Sequence, residues 1–301
     1  MAVLEVHHIC KSYGSFKAVD DISFNVEPGR MYGVLGPNGA GKTTTIRMIM
    51  NILLPDSGEV TIFGRQMEEQ LKNRIGYLPE ERGLYKKMKV IDMLVFLGRL
   101  HDLSTKEASQ AADQWLEKLE LTGWRDKKIE ELSKGMQQKI QFIGTIIHNP
   151  DLIIFDEPFS GLDPLNTQVI KDIMMEMREQ QKVILFSTHQ LDSAEKLCDD
   201  ILLINKGKKV LDGDLASIKR SHGRNAVQIE YDGDGEFLKS QPMVENFDNY
   251  GNYMEVILKK DGDPNQLLKA LVEKFKIRRF ECSTSSLKEI FLDNVRETQN
   301  V

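Results

Sequence analysis

The sequence predicts an α/β protein: a parallel sheet covered on both faces with an antiparallel β-portion, a helical insertion, and a small α+β unit at the C-terminal end. Three observations predict it. Short runs that are apolar throughout, Met31-Tyr32-Gly33-Val34-Leu35, Leu152-Ile153-Ile154-Phe155 and Val183 to Phe186, alternate with helical stretches. Strands buried on both faces read this way. From Pro79 to about Leu132 the apolar spacing becomes that of helices. After about Ser221 the composition shifts, with His222-Gly223-Arg224 as the boundary. The expected domains are 1–220, with a helical subdomain at about 79–135, and 221–301.

Each element has its own local reason. Leu4 to His8 and Ala18 to Val26 read as strands, and the second alternates Ile22, Phe24 and Val26 with polar residues. Glu27-Pro28-Gly29 is a turn before the buried strand Met31 to Leu35. A helix is expected from Lys42 to about Asn51. Pro55-Asp56-Ser57-Gly58 turns the chain into a strand at about Glu59 to Phe63, and Ile75 to Leu78 is a further strand. Val90 to Leu103 reads as one helix. Ser104-Thr105-Lys106-Glu107 is a capping box opening the next, with Ala108, Ala111, Trp115, Leu116 and Leu119 on one face. Helices follow at about Gly135 to His148 and at Pro164 to Gln181, the latter with proline in its first turn. Ile201 to Asn205 and Lys209 to Leu211, joined by Lys206-Gly207-Lys208, form a hairpin. Beyond the boundary come strands Ala226 to Tyr231, Tyr253 to Leu258 and Ile277 to Cys282, and helices Pro264 to Phe275 and Ser286 to Val295.

Bulk properties exclude some classes. Forty Lys+Arg against 46 Asp+Glu give a net charge of −6, and domains that hold nucleic acid usually carry a basic excess. No nucleic-acid partner is expected. Cys10, Cys198 and Cys282 are far apart with no C-x-x-C, which argues against a disulfide frame or zinc site and for a reducing compartment. The start lacks a basic region followed by an apolar stretch. No apolar run approaches the ~20 residues of a membrane span. The chain is expected to be soluble by itself, and able to sit on a membrane through an integral partner.

The chemistry centres on Gly36-Pro37-Asn38-Gly39-Ala40-Gly41-Lys42-Thr43-Thr44, which fits G-x-x-x-x-G-K-[ST] between a strand and a helix. Its glycines let successive backbone N–H groups turn inward to form a nest for phosphate oxygens, and the following helix aims its positive end at them. Lys42 reaches the β- and γ-phosphates, and Thr43 holds Mg²⁺. Asp156-Glu157 ends the apolar strand 152–155, at the sheet edge where ligands bind. Asp156 is placed to help hold Mg²⁺, and Glu157 to deprotonate a water attacking the γ-phosphate. Leu132-Ser133-Lys134-Gly135-Met136 opens a helix 23 residues before Asp156. It offers a second phosphate-binding terminus. One γ-phosphate has no use for two complete helix termini of one chain, whereas two chains facing each other do.

These residues together resemble the ATP-binding subunits of ABC transporters, over about residues 1–215. The resemblance implies a P-loop ATPase core. The family signature LSGGQ stands here as Leu132-Ser133-Lys134-Gly135-Met136, with Lys134 in place of a glycine and Met136 in place of a glutamine. In that family's order, Tyr13 stacks on adenine, the Asp163 of Ser160-Gly161-Leu162-Asp163 lies across a dimer interface, and His189 contacts the γ-phosphate. Glu80 stands where the family has a glutamine that binds Mg²⁺ and couples to the membrane subunit. A carboxylate does the metal work with one more negative charge. The run Glu81-Arg82-Gly83-Leu84-Tyr85-Lys86-Lys87-Met88-Lys89 lies where that family docks its membrane subunit. The segment Ser286-Leu287-Lys288-Glu289-Ile290-Phe291 resembles the C-terminal extension of ATPases that pair with ABC-2-type export permeases, including sodium and drug or antibiotic efflux systems.

The resemblance therefore implies ATP and Mg²⁺ as ligands and ATP hydrolysis as the activity. The implied assembly is a homodimer of ATPase subunits, or a pair with a related ATPase, on an integral membrane permease at the cytoplasmic face. Each ATP would lie between one copy's phosphate loop and the other's Ser133 segment. A P-loop kinase would share residues 36–43 but has no use for the Ser133 segment or Asp163. A soluble ABC-type ATPase acting on ribosomes or DNA usually carries two cassettes or a long coiled coil, and this chain has neither. A purely regulatory nucleotide-binding module would not need Glu157.

Overall fold

Continuous apolar strands end up where both faces are covered, and the chain supplies a cover for each. A computed structural model of the protein describes residues 2–81, 83–222, 226–233, 235–259, 261–283 and 286–292. They divide into two units, Met1–Gly213 and Asp214–Val301.

The first unit opens with strands β1 (Leu4–Tyr13), β2 (Phe16–Val26) and β3 (Met31–Leu35), then helix α1 (Lys42–Ile49), β4 (Ser57–Ile62) and β5 (Ile75–Leu78). Helices α2 (Val90–Leu100), α3 (Thr105–Lys118) and α4 (Lys134–Ile146) follow. Then come β6 (Leu152–Asp156), α5 (Pro164–Glu179), β7 (Val183–Thr188), α6 (Leu191–Leu197), β8 (Asp200–Asn205) and β9 (Lys208–Asp214). Six strands form one sheet in the order β5-β6-β7-β3-β8-β9, parallel from β5 through β8. The two residues joining β8 to β9, Lys206 and Gly207, both have positive φ (49° and 78°). That is the turn which matches the twist of an antiparallel hairpin. A separate antiparallel sheet has the order β2-β1-β4.

Alternation along the parallel strands divides the core in two. Ile153, Phe155, Ile184 and Phe186 face one side and pack with Val90, Leu94, Leu116, Phe142 and Ile173 of the helices. Leu152, Ile154, Leu185 and Val34 face the other and pack with Ile46 and Ile49 of α1 and with Leu4, Val6 and Phe24 of the antiparallel sheet. The helical insertion is thus anchored by its apolar stripe. The Ser104–Glu107 capping box is formed in both directions, at 3.2 and 2.9 Å. Ala108, Leu116 and Leu119 are buried, as is Ala112, which the sequence reading left out of the face.

Several elements differ from expectation. The strands expected at Leu4 to His8 and Ala18 to Val26 are longer: β1 runs on to Tyr13 and β2 starts at Phe16, so a tight hairpin joins them. The helices expected to end at Asn51, Leu103 and His148 end at Ile49, Leu100 and Ile146. Asn51, Asp102 and Asn149 just beyond these ends have φ of 53°, 64° and 53°, a left-handed exit that breaks the hydrogen-bond ladder. His101 and His148 stack face to face beside the ends of α2 and α4, with ring centroids 3.7 Å apart.

The second unit carries α7 (Leu215–His222), β10 (Ala226–Tyr231), α8 (Glu236–Lys239), β11 (Val244–Asn249), β12 (Met254–Leu258), α9 (Pro264–Val272) and β13 (Ile277–Ser283), with helical turns at 287–292. Its antiparallel sheet has the order β11-β12-β10-β13, built around Val227, Ile229, Val256, Leu267 and Leu271. β11 and α8 had no sequence expectation. Gly223 and Arg224 of the expected boundary, Arg82 of the basic run, and residues 293–295 of the expected last helix lie outside the described residues. Among the described residues, no helix is long and apolar enough to cross a membrane.

Candidate active site

The loop between β3 and α1 is shaped by what surrounds it. Gly36 has φ 151°, and a Cβ there would lie 2.2 Å from the carbonyl oxygen of Ile204. Gly41 has φ 110°, and a Cβ there would lie 2.4 Å from the carbonyl oxygen of Ala18. Both positions exclude any side chain by backbone contact as well as by conformation. Gly41 caps α1, and the first hydrogen bond of that turn is Thr45 N–H to the Gly41 carbonyl, 2.9 Å. The preceding N–H groups at the helix terminus have no intrahelical acceptor. They face a cleft of about 490 Å³ bordered by Tyr13, Phe16, Asn38, Gly39, Gly41, Lys42, Thr43, Thr44, Glu80 and Glu157.

Not every residue of the loop faces that cleft. Ala40 is buried in the core, and its carbonyl accepts from Gly207 N–H at 2.9 Å. Gly36 and Pro37 offer their carbonyls to Lys42 Nζ, at 2.9 and 3.2 Å. These three shape the loop, and the remainder borders the cleft.

Two acids end β6. Asp156 Oδ1 accepts from Ser187 Oγ at 2.5 Å and from Thr43 Oγ1 at 3.2 Å. Its Oδ2 is buried without a hydrogen-bond partner. Glu157 adopts φ 52°, and its N–H donates to Ser187 Oγ at 3.0 Å. Its carboxylate lies 3.3 Å from Lys42 Nζ, and His189 Nδ1 stands 3.1 Å from both of its oxygens. The cation, the buried acid and the histidine expected from sequence therefore come together. Glu80 is exposed and borders the same cleft.

The donor set around Asp156 fits Mg²⁺. A hard divalent cation takes oxygen ligands, and here a buried carboxylate oxygen lacks a partner beside a threonine hydroxyl. Burial pushes the Asp156 carboxyl above the ordinary carboxylate range, against the opposing hydrogen bonds from Ser187 and Thr43. A carboxyl with a raised folded-state pKa contributes stability below its unfolded pKa, and that stability is lost as pH rises through the folded value. At pH 7 the ionised group is thus unfavourable without a cation. Asp156→Asn should raise the melting temperature of the nucleotide-free protein at pH 7 by about 2–4 °C. The gain should shrink towards pH 4. Scanning calorimetry at both pH values checks this, and a lower melting temperature at pH 7 contradicts it.

The segment 132–136 lies outside the cleft lining. Leu132 is only 5 % exposed and turned into the core, so the side chains on offer start at Ser133. Ser133 Oγ caps α4 by accepting from Met136 N–H, 3.3 Å. Gln137, which the sequence reading passed over, donates to the carbonyls of Ile129 and Leu132 and fixes the approach to the helix. Lys134 is exposed in the first turn, where a cation faces the positive helix end. Met136 packs partly against the core. A Cβ on Gly135 would sit 3.8 Å from Asn166 Nδ2. Asn166 in turn donates its backbone N–H to Asp163, the cap of α5. The Ser133 and Asp163 segments are therefore neighbours.

Tyr13 and Phe16 pair across the β1–β2 hairpin and are 53 % and 61 % exposed. Phe16 and Ser187 were not expected. The signal for Phe16 was its two-residue separation from Tyr13 around Gly14-Ser15. For Ser187 it was a hydroxyl at the end of a wholly apolar strand.

The family model described as ABC transporter matches residues 19–160, and the one described as ATP-binding protein DrrA1-3-like, C-terminal domain, matches 213–295. The chain is 42 % identical to the ABC transporter ATP-binding protein YhaQ of Bacillus subtilis, over 97 % of this chain and 98 % of that one. It is 32 % identical to the Nod factor export ATP-binding protein I of Cupriavidus metallidurans, over 97 % and 96 %. Among solved structures, an ATP-binding subunit of an ABC transporter superposes with a TM-score of 0.68 at 32 % identity, covering 73 % of this chain and 92 % of that one.

Proposed function

Because the chain belongs to the ATP-binding subunits of ABC transporters, a family that hydrolyses ATP, we propose that two copies close on two Mg·ATP and drive a separate membrane permease, for export. The observation that carries this is the contact of Lys42, Glu157 and His189 at one end of the parallel sheet, beside the cleft that the glycine loop and the start of α1 border.

In this reading the triphosphate lies on the loop Gly36–Thr44 and the N–H groups of α1, and the adenine stacks on Tyr13 with Phe16 beside it. Lys42 then moves its charge from Glu157 to the β- and γ-phosphates. Glu157 accepts the proton of the attacking water, and His189 holds Glu157 in place and faces the transferring phosphoryl group. Thr43, Asp156 and Glu80 would hold Mg²⁺, which neutralises charge on the phosphates. Ser133, Lys134, Gly135 and Met136 of the second copy would reach the γ-phosphate across the interface, with Asp163 beside them. The position of this segment outside the cleft supports a second copy. ATP favours the closed pair because its γ-phosphate bridges the copies, and ADP lacks that bridge.

Exposed Tyr85 and Phe96, edge to face at 6.0 Å, with exposed Leu100, Lys86, Lys87 and Lys89 around them, support permease docking on the helical insertion. The chain would sit at the cytoplasmic face. Export is supported by the DrrA-like C-terminal match and by the Nod factor export relative. Tagged Glu157→Gln protein, purified with Mg·ATP from gently solubilised cells, should bring down a stoichiometric multi-span membrane protein. Ribosomes or DNA-bound proteins in its place would overturn the transport reading.

A further inference from the structure

His189 is 47 % exposed on its side chain, so core packing does not fix its orientation. Its backbone must do so, and the residue after it is held from several sides. Gln190 N–H donates to Thr188 Oγ1 at 3.0 Å, and its carbonyl accepts from Ser193 and Ala194 N–H at 3.1 and 3.2 Å. Its side-chain Oε1 accepts from Ser193 Oγ at 3.2 Å. Ser193 is buried, and its hydroxyl in turn accepts from Lys171 Nζ of α5 at 3.0 Å. One hydroxyl can serve as donor and acceptor at once.

Lys171 also reaches the other half of the site. Its ammonium lies 5.3 Å from the ring centroid of Phe159, within cation–π range. Phe159 is buried two residues after Glu157, edge to face with Phe186 of β7. One side chain thus braces the segment that follows Glu157 and the segment that follows His189. Burial, and then Lys196, lower its pKa from the ordinary lysine value, so the ammonium is kept where its surroundings disfavour charge.

We propose that Lys171, acting through Ser193 and Gln190, is the positioning residue that holds His189 against Glu157 for hydrolysis. It does not border the cleft, and it acts through Ser193 and Phe159. The proposal rests on the reading of His189 and Glu157 given above.

The test is steady-state ATP hydrolysis by the full chain carrying Lys171→Met, Lys171→Arg or Ser193→Ala, each made with and without His189→Ala. Methionine keeps an unbranched stem to pack on Phe159 and removes the donor. Lys171→Met and Ser193→Ala should each lower kcat on the order of tenfold, because a small displacement of a reacting group is costly. The KM for ATP should change by less than about twofold, since the cleft itself is untouched. Lys171→Arg, which keeps a cationic donor, should recover most of the loss. In the His189→Ala background neither change should lower kcat further, because partners acting as one unit are non-additive. An unaltered kcat in both Lys171→Met and Ser193→Ala, while His189→Ala is impaired, would overturn the proposal and leave the site reading standing. An equal further loss in the His189→Ala background would show a structural role only, and would also overturn it. A normal kcat in His189→Ala would overturn the assignment of His189 itself.

Discussion

Glu157→Gln should slow ATP hydrolysis by about 10²–10⁴-fold, the range by which a positioned proton acceptor speeds a reaction, while ATP still binds. The substitution keeps the size and shape of the side chain. It removes the carboxylate that lies 3.3 Å from Lys42 and 3.1 Å from His189. A neutral amide cannot accept the proton of the attacking water. Bound ATP would then persist, and the ATP-bridged pair of copies with it. Phosphate-release kinetics and size-exclusion chromatography with Mg·ATP read the two consequences separately. Wild-type turnover would remove Glu157 from the role of base. A variant that binds ATP tightly and yet stays monomeric would argue against closure across the γ-phosphate.

Lys42→Ala should weaken ATP binding by about 10–100-fold, the loss expected when hydrogen bonds from a cation to a charged acceptor are removed. Lys42 is buried, and its ammonium is directed by the carbonyls of Gly36 and Pro37. The ammonium is thus already held beside the cleft, and only its move from Glu157 to the phosphates remains when ATP binds. The same change leaves Glu157 buried beside His189 without its lysine. The nucleotide-free variant should therefore melt below wild type, because a buried charge has lost its partner. Titration calorimetry gives the affinity, and unchanged binding would refute the role of the loop.

The parts of the site legible in the sequence are those written in contiguous residues. Gly36 to Thr44 and Asp156-Glu157 carry their geometry in local spacing, and so do the apolar strands behind them. The contacts that join them span long separations. Thr43 meets Asp156, and Ser187 meets both Asp156 and Glu157. Those pairings depend on the strand order β6-β7-β3, which apolar runs do not encode. Ser187 lay hidden because a buried serine looks, in sequence, like an ordinary strand end. Leu132 was grouped with its neighbours in the signature, and only packing separates its core-facing side chain from the exposed Ser133. In the second unit, β11 escaped because Val244 and Phe247 are its only apolar residues among polar ones. It pairs with β12 along its length, and only Val244 and Phe247 reach the core. The seven-residue span of α6 is too short for a helical period to declare itself.

The central place of β3 has a consequence for how the protein is made. β3 carries the phosphate loop, yet its neighbours are β7 and β8, and the Ile204 carbonyl closes over Gly36. As the chain leaves the ribosome, the loop emerges early and its supports arrive some 150 residues later. Until β7 has emerged β3 has neither edge paired, and until β8 follows one edge stays open and the loop lacks the carbonyl that closes over Gly36. Such long-range pairing is slow to form and leaves strand edges open meanwhile. A nascent chain arrested before Asn205 therefore has every residue of the nucleotide motif and no site in which to use it.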